Sequence, residues 1–400
     1  MRESNGRTRL VLVLGGLSAF GPLCLDMYLP AFPEIAARLG ASHSQVQLTL
    51  TACMIGLAVG QLVIGPLSDM WGRKRPLLFG IGLFVLASLA CVFTDDIASF
   101  TVVRFVQGFA GAAGIVVARA VVRDLYSGAE AARFFSTLML VFGLAPILAP
   151  VIGGELTAST GWRGVFAALS IFGGLLLLAV ALGLPESLPA ARRNTGGLRA
   201  VLRAAGTLSA DRAFVGLSLT TAFAGAALFA YISGSPFVIQ DLHHASPQLY
   251  SIIFGVNALG FVIVGQLNGR LVSRYGPRRL LGVGIGVNLV SALALLLTTA
   301  IGTLGIFGLL VPLFTLVASI GMISPNALAL SMADHPHIAG SASALLGMLQ
   351  FLVAAATAPL VGLGGPGTAL PMTITIAAVS TLSLLALTTL ARPTPTPVTP

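Results

Sequence analysis

Along most of this chain the apolar positions run on without a break. They show neither the alternation of a half-buried strand nor the one-sided stripe of a surface helix. Runs near 20 residues recur, and a membrane-crossing helix needs about 20 apolar residues. The pattern predicts twelve spans, near 9–30, 44–67, 76–94, 98–119, 133–154, 163–184, 213–236, 247–269, 278–299, 303–326, 340–363 and 368–390. A membrane β-barrel is excluded, because its strands alternate apolar and polar residues over about ten positions. The expected class is all-α and integral to the membrane.

Composition sharpens this. Of 400 residues, 56% are hydrophobic and 9% charged, whereas soluble domains carry about 45–50% apolar and about 25% charged residues. So few charges cannot cover a soluble surface, and an ordinary globular protein or a nucleic-acid binder is excluded. The net charge of +9 has another origin. Counting segments from an inside N-terminus puts nineteen Lys and Arg inside, against only Arg38 and Arg163 outside. Lys/Arg excess marks the cytoplasmic side, so both termini are expected inside. The start, with Arg2, Arg7 and Arg9 before an apolar run, imitates a signal peptide. The run passes Leu25, contains Asp26 and has no A-x-A site, so it reads as a retained first helix.

The chain divides at its longest polar stretch. The expected plan is a first six-helix bundle over 1–184, a cytoplasmic linker over 185–212, a second bundle over 213–391 and a Pro/Thr tail over 392–400. In the linker, Leu198, Val201, Leu202, Ala205 and Leu208 recur at helical spacing. Two readings stand there: a helix on the membrane surface, or a solvated connector. Gly60-x-x-Val63-x-Gly65-x-Leu67 aligns with Gly260-x-x-Ile263-x-Gly265-x-Leu267 at an offset of 200 residues, and a basic loop follows each. Two halves in the same orientation match the parallel-repeat plan of secondary transporters.

Several segments carry candidate chemistry. Gly65-Pro-Leu-Ser-Asp69-Met-Trp-Gly72-Arg73-Lys74-Arg75 joins spans two and three. Gly65 admits a close helix neighbour, and Gly72 supplies a tight turn. Asp69 at a helix C-terminus is disfavoured by the helix dipole, so it is expected to pair with Arg73 one turn on or to face another helix N-terminus. Such a group can latch an inner gate. In span five, Gly143, Pro146, Pro150, Gly153 and Gly154 form a small-residue face, and the prolines remove backbone hydrogen bonds.

Asp26 and Arg104 are the sharpest single residues, because charges inside spans are functional candidates by default. Their expected depths agree within a few ångström. Arg104 cannot lose its proton; Asp26 can. One reading makes Asp26 the proton-coupling acid and Arg104 the group that sets its charge. The others are an interfacial cap for Asp26 and a structural hydrogen-bonding hub for Arg104. Asp26, Tyr28, Gln61, Gln107, Tyr231, Asn257, Asn326 and Gln350 are the expected lining of a substrate cavity.

These strings resemble a known family. The segment from Gly65 to Arg73 looks like the G-x-L-x-D-x-x-G-R-x signature of the major facilitator superfamily. Arg104-x-x-Gln107-Gly108-x-x-Gly111-Ala112-Ala113 resembles the helix-four motif of its drug/proton antiporters, and Gly143 to Gly154 their helix-five motif. Asp26-Met27-Tyr28-Leu29-Pro30-Ala31-Phe32-Pro33, Ser324-Pro325-Asn326 and Ala339 to Ala344 fit the Bcr/CflA subfamily. The resemblance covers residues 9 to about 390. It implies twelve helices in two pseudo-symmetric six-helix bundles and proton-coupled multidrug efflux, with antibiotics such as amphenicols or bicyclomycin-like compounds as substrates. The loop of the second half, Gly265-Gln-Leu-Asn268-Gly-Arg270, departs from the signature: it has no acid where Asp69 stands in the first.

The alternative is a transporter of the same fold dedicated to one metabolite. An intramembrane enzyme lacks its motifs: there is no HExxH or GxSxG. A channel is less apt, since one internally repeated chain is complete as a transporter, which also predicts a monomer. No Walker A motif and no cofactor signature occur. Cys24, Cys53 and Cys91 lie in apolar runs without Cys/His spacing, so they read as packing residues. Asp334-His335-Pro336-His337 and His243-His244 read as solvated loop histidines and not as a metal site. The expected partners are a small-molecule drug, protons and the bilayer.

Overall fold

The computed structural model describes residues 2–126, 128–193, 206–302, 305–333, 339–364 and 367–391. The linker positions Leu198 to Ala205, the Asp334–His337 cluster and the terminal Pro/Thr tail lie outside them. Among the described residues the chain is helical nearly throughout and contains no strand. Eleven helical runs among the described residues are long and apolar enough to cross a membrane. The twelfth expected span is hidden in one of them. Spans five and six form a single helical run, Gly128–Gly183, broken at Gly161, whose φ of 72° and ψ of 178° are not helical. Only glycine adopts that backbone cheaply. The expected loop there is therefore an elbow, with the Trp162 N–H donating to Glu34 Oε2 at 2.9 Å. The protein is a multi-pass membrane protein. Its outward apolar side chains agree: Phe79, Leu182 and Phe307 are 70%, 72% and 74% exposed, which suits lipid and not water.

The chain divides into two compact units. The first comprises Met1–Leu198 with Ser235–Gly255, the second Arg199–Gly234 with Val256–Pro400.

In the first unit, helices α1 (Arg2–Ser18), α2 (Phe20–Asp26) and α3 (Phe32–Arg38) make up the first crossing. Helices α4 (His43–Trp71), α5 (Lys74–Val92), α6 (Ile97–Leu125) and α7 (Gly128–Gly183) follow. Local sequence sets their starts. Ser42 and Gln45 form a reciprocal capping box at α4. Asp96 caps α6 by accepting the Ala98 and Ser99 N–H groups at 3.0 and 2.8 Å. The most extensive pairing among the described residues is α4 on α6. A Cβ at Gly56 would overlap the Phe105 carbonyl, at Gly60 the Phe109 carbonyl, and at Gly108 the Cys53 carbonyl. Small residues at this spacing let the backbones close together, which is how membrane helices pack without a hydrophobic drive between them.

The second unit repeats the device. Its helices are α8 (Arg212–Pro236), α9 (Pro247–Tyr275), α10 (Pro277–Ile301), α11 (Phe307–Ala333), α12 (Ala339–Thr357) and α13 (Leu370–Thr389), of which the end of α8 and the start of α9 belong to the first unit. Gly321 on α11 faces the Phe261 carbonyl of α9, and Gly260 faces the Phe314 ring. Asn288 ties three helices: it donates to Ser319 Oγ at 3.0 Å and accepts from Ser380 Oγ at 2.9 Å. That buried amide makes these bonds between helices.

Candidate functional site

The first crossing breaks where Asp26 sits. α2 ends at Asp26, a short 3-10 turn runs over Leu29–Ala31, and α3 resumes at Phe32. Pro30 and Pro33 have no N–H to give to a helical ladder, and each disfavours helical backbone in the residue before it. A broken helix at membrane depth must satisfy its backbone within the protein, and the Ala31 N–H does so on the Tyr28 carbonyl at 3.0 Å. The helix-five glycines seat this break. A Cβ at Gly153 would overlap the Met27 carbonyl oxygen and lie 2.7 Å from its carbon, and one at Gly154 would lie 2.9 Å from the Pro247 carbonyl oxygen and overlap Ser251 Oγ. Asp26 is 7% exposed. Among the described residues its carboxylate has no ion-pair or hydrogen-bond partner.

Arg104 lies on α6 and is fully buried. Among the described residues Arg104 and Asp26 form no ion pair. The guanidinium instead donates from Nη2 to the Cys24 carbonyl at 2.8 Å, and from Nη1 to Cys24 Sγ at 3.4 Å and to Gln107 Oε1. It lies over the Tyr28 ring, 4.1 Å from the centroid, and 5.5 Å from that of Phe166, a cation–π arrangement. Gln107 passes the chain on to Ser88 Oγ at 2.7 Å, and the Tyr28 hydroxyl meets Thr49 Oγ1 at 3.2 Å. The hub reading of Arg104 therefore describes its contacts. One donor remains: Nε is buried without a partner among the described residues. Sequence reading missed Cys24, whose carbonyl and sulfur carry no signal of this role.

The Gly65–Arg75 loop gathers a second cluster. Gly72 has φ 90°, the left-handed region that favours glycine. Arg73 pairs with Asp69 one turn back, as expected, and its Nη1 also donates to Ser68 Oγ at 2.9 Å. Two acids unseen from sequence join it. Asp124, at the end of α6, accepts from Arg73 Nε at 2.8 Å and Nη2 at 3.4 Å. Glu186 accepts the backbone N–H groups of Arg73 at 2.8 Å and Lys74 at 3.2 Å, where α5 begins. Burial disfavours the Arg73 charge, but the bonds to Asp124 and Asp69 outweigh it and hold the guanidinium above its ordinary pKa. Burial likewise works against the Glu186 charge. The N–H groups of Leu188, Arg73 and Lys74, with Arg193, prevail and hold its carboxyl below the usual glutamate range. The close approach expected at Gly65 is not required: a Cβ there would meet only Val116, at 3.8 Å.

The remaining candidates separate. Asp26, Tyr28, Gln61 and Gln107 belong to the first unit; Tyr231, Asn257, Asn326 and Gln350 belong to the second. Tyr28 and Gln107 are wholly buried in the Arg104 cluster. Asn257 Nδ2 donates to the Tyr231 hydroxyl at 2.8 Å. Asn326 Nδ2 donates to Asn268 Oδ1 at 2.6 Å and to the Met322 carbonyl at 2.7 Å, so it braces α11 against α9. Gln350 and Gln61 are half-buried, and Gln350 lies close against Gly225. Helix α7 stays helical across Pro146 and Pro150 and breaks at Gly161 instead. The surroundings of Gly143 lie outside the described residues.

A chain of this architecture, with a broken first helix, a buried arginine hub and a basic loop latched by acids, has the build of a secondary transporter. The model of the Major Facilitator Superfamily matches residues 14–359, and the chain belongs to that family. It is 43% identical over 377 residues to an uncharacterized MFS-type transporter, YdgK, of Bacillus subtilis, covering 93% of each chain. It is 33% identical over 386 residues to a bicyclomycin resistance protein homolog of Haemophilus influenzae, covering 96% of this chain and 97% of that one. Among solved structures it resembles a bacterial homolog of the human lysosomal transporter Spinster, with a TM-score of 0.77, 17% identity and coverage of 98% and 99%. That last likeness is one of fold.

Proposed function

We propose that this protein is a proton-coupled exporter of lipophilic, neutral or weakly charged small molecules, with bicyclomycin-like or amphenicol antibiotics as the substrate class. It works by alternating access in the bacterial cytoplasmic membrane, with both termini in the cytoplasm, where the nineteen Lys and Arg then lie. The observation that carries the reading is the Asp26 carboxylate, buried and without a partner among the described residues, at the break of a membrane helix. An ionised carboxylate is costly in such a place, and a partner or water must stabilise it. A protonated one is not. Its charge therefore follows which side of the membrane supplies water and protons, and a substrate seated beside it competes with the proton. Arg104, bonded to Gln107 and to the carbonyl of Cys24, two residues before Asp26, keeps a fixed positive charge, and its Nε–H, without a partner among the described residues, offers a donor to a ligand or water. The Haemophilus influenzae relative whose name refers to bicyclomycin resistance supports the substrate class.

The test is antibiotic susceptibility in an efflux-deficient bacterial host expressing wild type, Asp26→Asn or Arg104→Ala, with membrane levels checked by blot. Raised resistance to at least one lipophilic antibiotic, lost in both variants, is expected. No resistance across a broad panel at normal membrane levels would replace this reading with that of a dedicated metabolite transporter. Coupling is read separately, as drug-driven proton release from vesicles, which Asp26→Asn is expected to abolish.

A further inference from the structure

Two thiols meet beside the Arg104 hub. Cys24 on α2 and Cys53 on α4 place their sulfurs 3.2 Å apart. Both side chains are fully buried and neither is in a disulfide. The transport reading uses the Cys24 carbonyl but neither sulfur. We propose that Cys24 and Cys53 form a dithiol site for trivalent arsenicals, in which one arsenic atom takes both sulfurs.

Geometry selects the ligand class. Soft thiolates choose soft centres. If each sulfur bonds a shared atom at about 2.3 Å, a separation of 3.2 Å corresponds to an S–X–S angle of about 90°. Linear two-coordinate ions would spread the same sulfurs to about 4.6 Å, and a tetrahedral centre to about 3.8 Å, at that bond length. Trivalent arsenic is pyramidal, with bond angles close to a right angle, and so matches the sulfur separation as it stands. The surroundings suit a neutral guest: an organic arsenous acid carries no charge into the apolar interior. Its organic group can turn toward the helix break at Asp26, two residues along from Cys24. Arg104 Nη1 lies 3.4 Å from Cys24 Sγ, so a positive charge faces the sulfur that gives up its proton.

The reaction balances without an oxidant. Two S–H bonds and two As–O bonds break, two As–S bonds and two O–H bonds form, and two waters leave. Arsenic stays trivalent and both sulfurs stay at the thiol oxidation level. Occupation would tie α2 to α4 and remove the sulfur contact of Arg104.

The experiment uses the purified full chain and phenylarsine oxide, read by intact-protein mass spectrometry, so it does not depend on transport activity. The expected result is one phenylarsenic group per chain. After denaturing alkylation with iodoacetamide, Cys24 and Cys53 are protected and Cys91 is modified. A dithiol removes the adduct; a monothiol at equal thiol concentration does not. Cys24→Ser and Cys53→Ser lose the adduct while Cys91→Ser keeps it, each variant eluting as wild type does in gel filtration. Failure of wild type to take up the arsenical, protection of Cys91 in place of either partner, or an adduct retained by either single-serine variant would overturn the proposal. The mapping on wild type stands even if a variant does not fold.

Discussion

Arg73 reaches from the turn before α5 to Asp124 at the end of α6, with Nε 2.8 Å from Oδ2. The two side chains are 8% and 14% exposed, whereas Asp69, the other acid on Arg73, is 50% exposed. The two pairs should therefore differ in weight. Breaking a buried pair costs about 3–5 kcal/mol, while an exposed one is worth about 0–1 kcal/mol. Asp124→Ala is expected to lower the thermal midpoint in detergent clearly, and Asp69→Ala much less. Arg73→Lys should behave like the loss of the arginine, because one ammonium cannot serve Asp124, Asp69 and Ser68 together. Equal shifts for the two aspartates would refute this ranking.

Glu186 predicts a pH signature. Its carboxyl is held below the usual range, so the folded state binds its proton less readily than the unfolded chain. The stabilisation is present in full above the ordinary glutamate pKa and is lost as pH falls through the lower, folded value. The gap in thermal midpoint between wild type and Glu186→Gln should be constant near neutrality and close on acidification. A gap that widens toward acid pH would contradict the assignment.

Gly153 and Gly174 offer a matched pair on α7. A methyl group at Gly153 would overlap the Met27 carbonyl, whereas one at Gly174 meets nothing within 4 Å. Gly153→Ala is expected to cost about 1–3 kcal/mol through overpacking and to lower transport several-fold. Gly174→Ala should be neutral or stabilising by about 0.5–1 kcal/mol, the usual gain of Ala over Gly in a helix. Thermal scans of both variants, alongside vesicle transport, decide it.

Asp26 and Arg104 should part company in stability assays. The arginine makes bonds to the Cys24 carbonyl, Cys24 Sγ and Gln107, and hydrogen bonds to a charged group are worth about 1.5–3 kcal/mol each. Arg104→Lys or Arg104→Ala should destabilise markedly. Asp26→Asn removes no bond among the described residues and should leave the thermal midpoint unchanged or raised while abolishing proton coupling. A large loss of stability in Asp26→Asn would point to a partner for the carboxylate that the geometry lacks.

What the sequence made legible follows from range. Asp69 and Arg73 stand one turn apart, so their pairing could be read directly. Asp124 and Glu186 lie 51 and 113 residues from Arg73, and nothing local marks them as its partners. The positions of the spans were readable because hydropathy is a local sum. The fusion of spans five and six was not, because Gly161 looks like any loop glycine until Glu34 is seen to cap the turn. Arg104 announced itself by its charge at depth. Its partners did not, since a backbone carbonyl and a thiol have no polarity pattern to detect. Asn326 was read as cavity lining because its bond to Asn268 spans 58 residues.

The two halves differ in one matched place. Asn268 stands 200 residues after Ser68, and Asn326 stands 202 after Asp124. Where the first unit uses an arginine between acids, the second uses a direct bond between two amides. Amides do not titrate, and their bond is blind to salt, whereas ion pairs weaken as ionic strength rises. The repeat has kept a clasp at both positions but left only one of them responsive. A rise in salt acts on the half-exposed Asp69–Arg73 pair and finds no counterpart at the amide pair, so a chemically symmetric signal meets an asymmetric clasp.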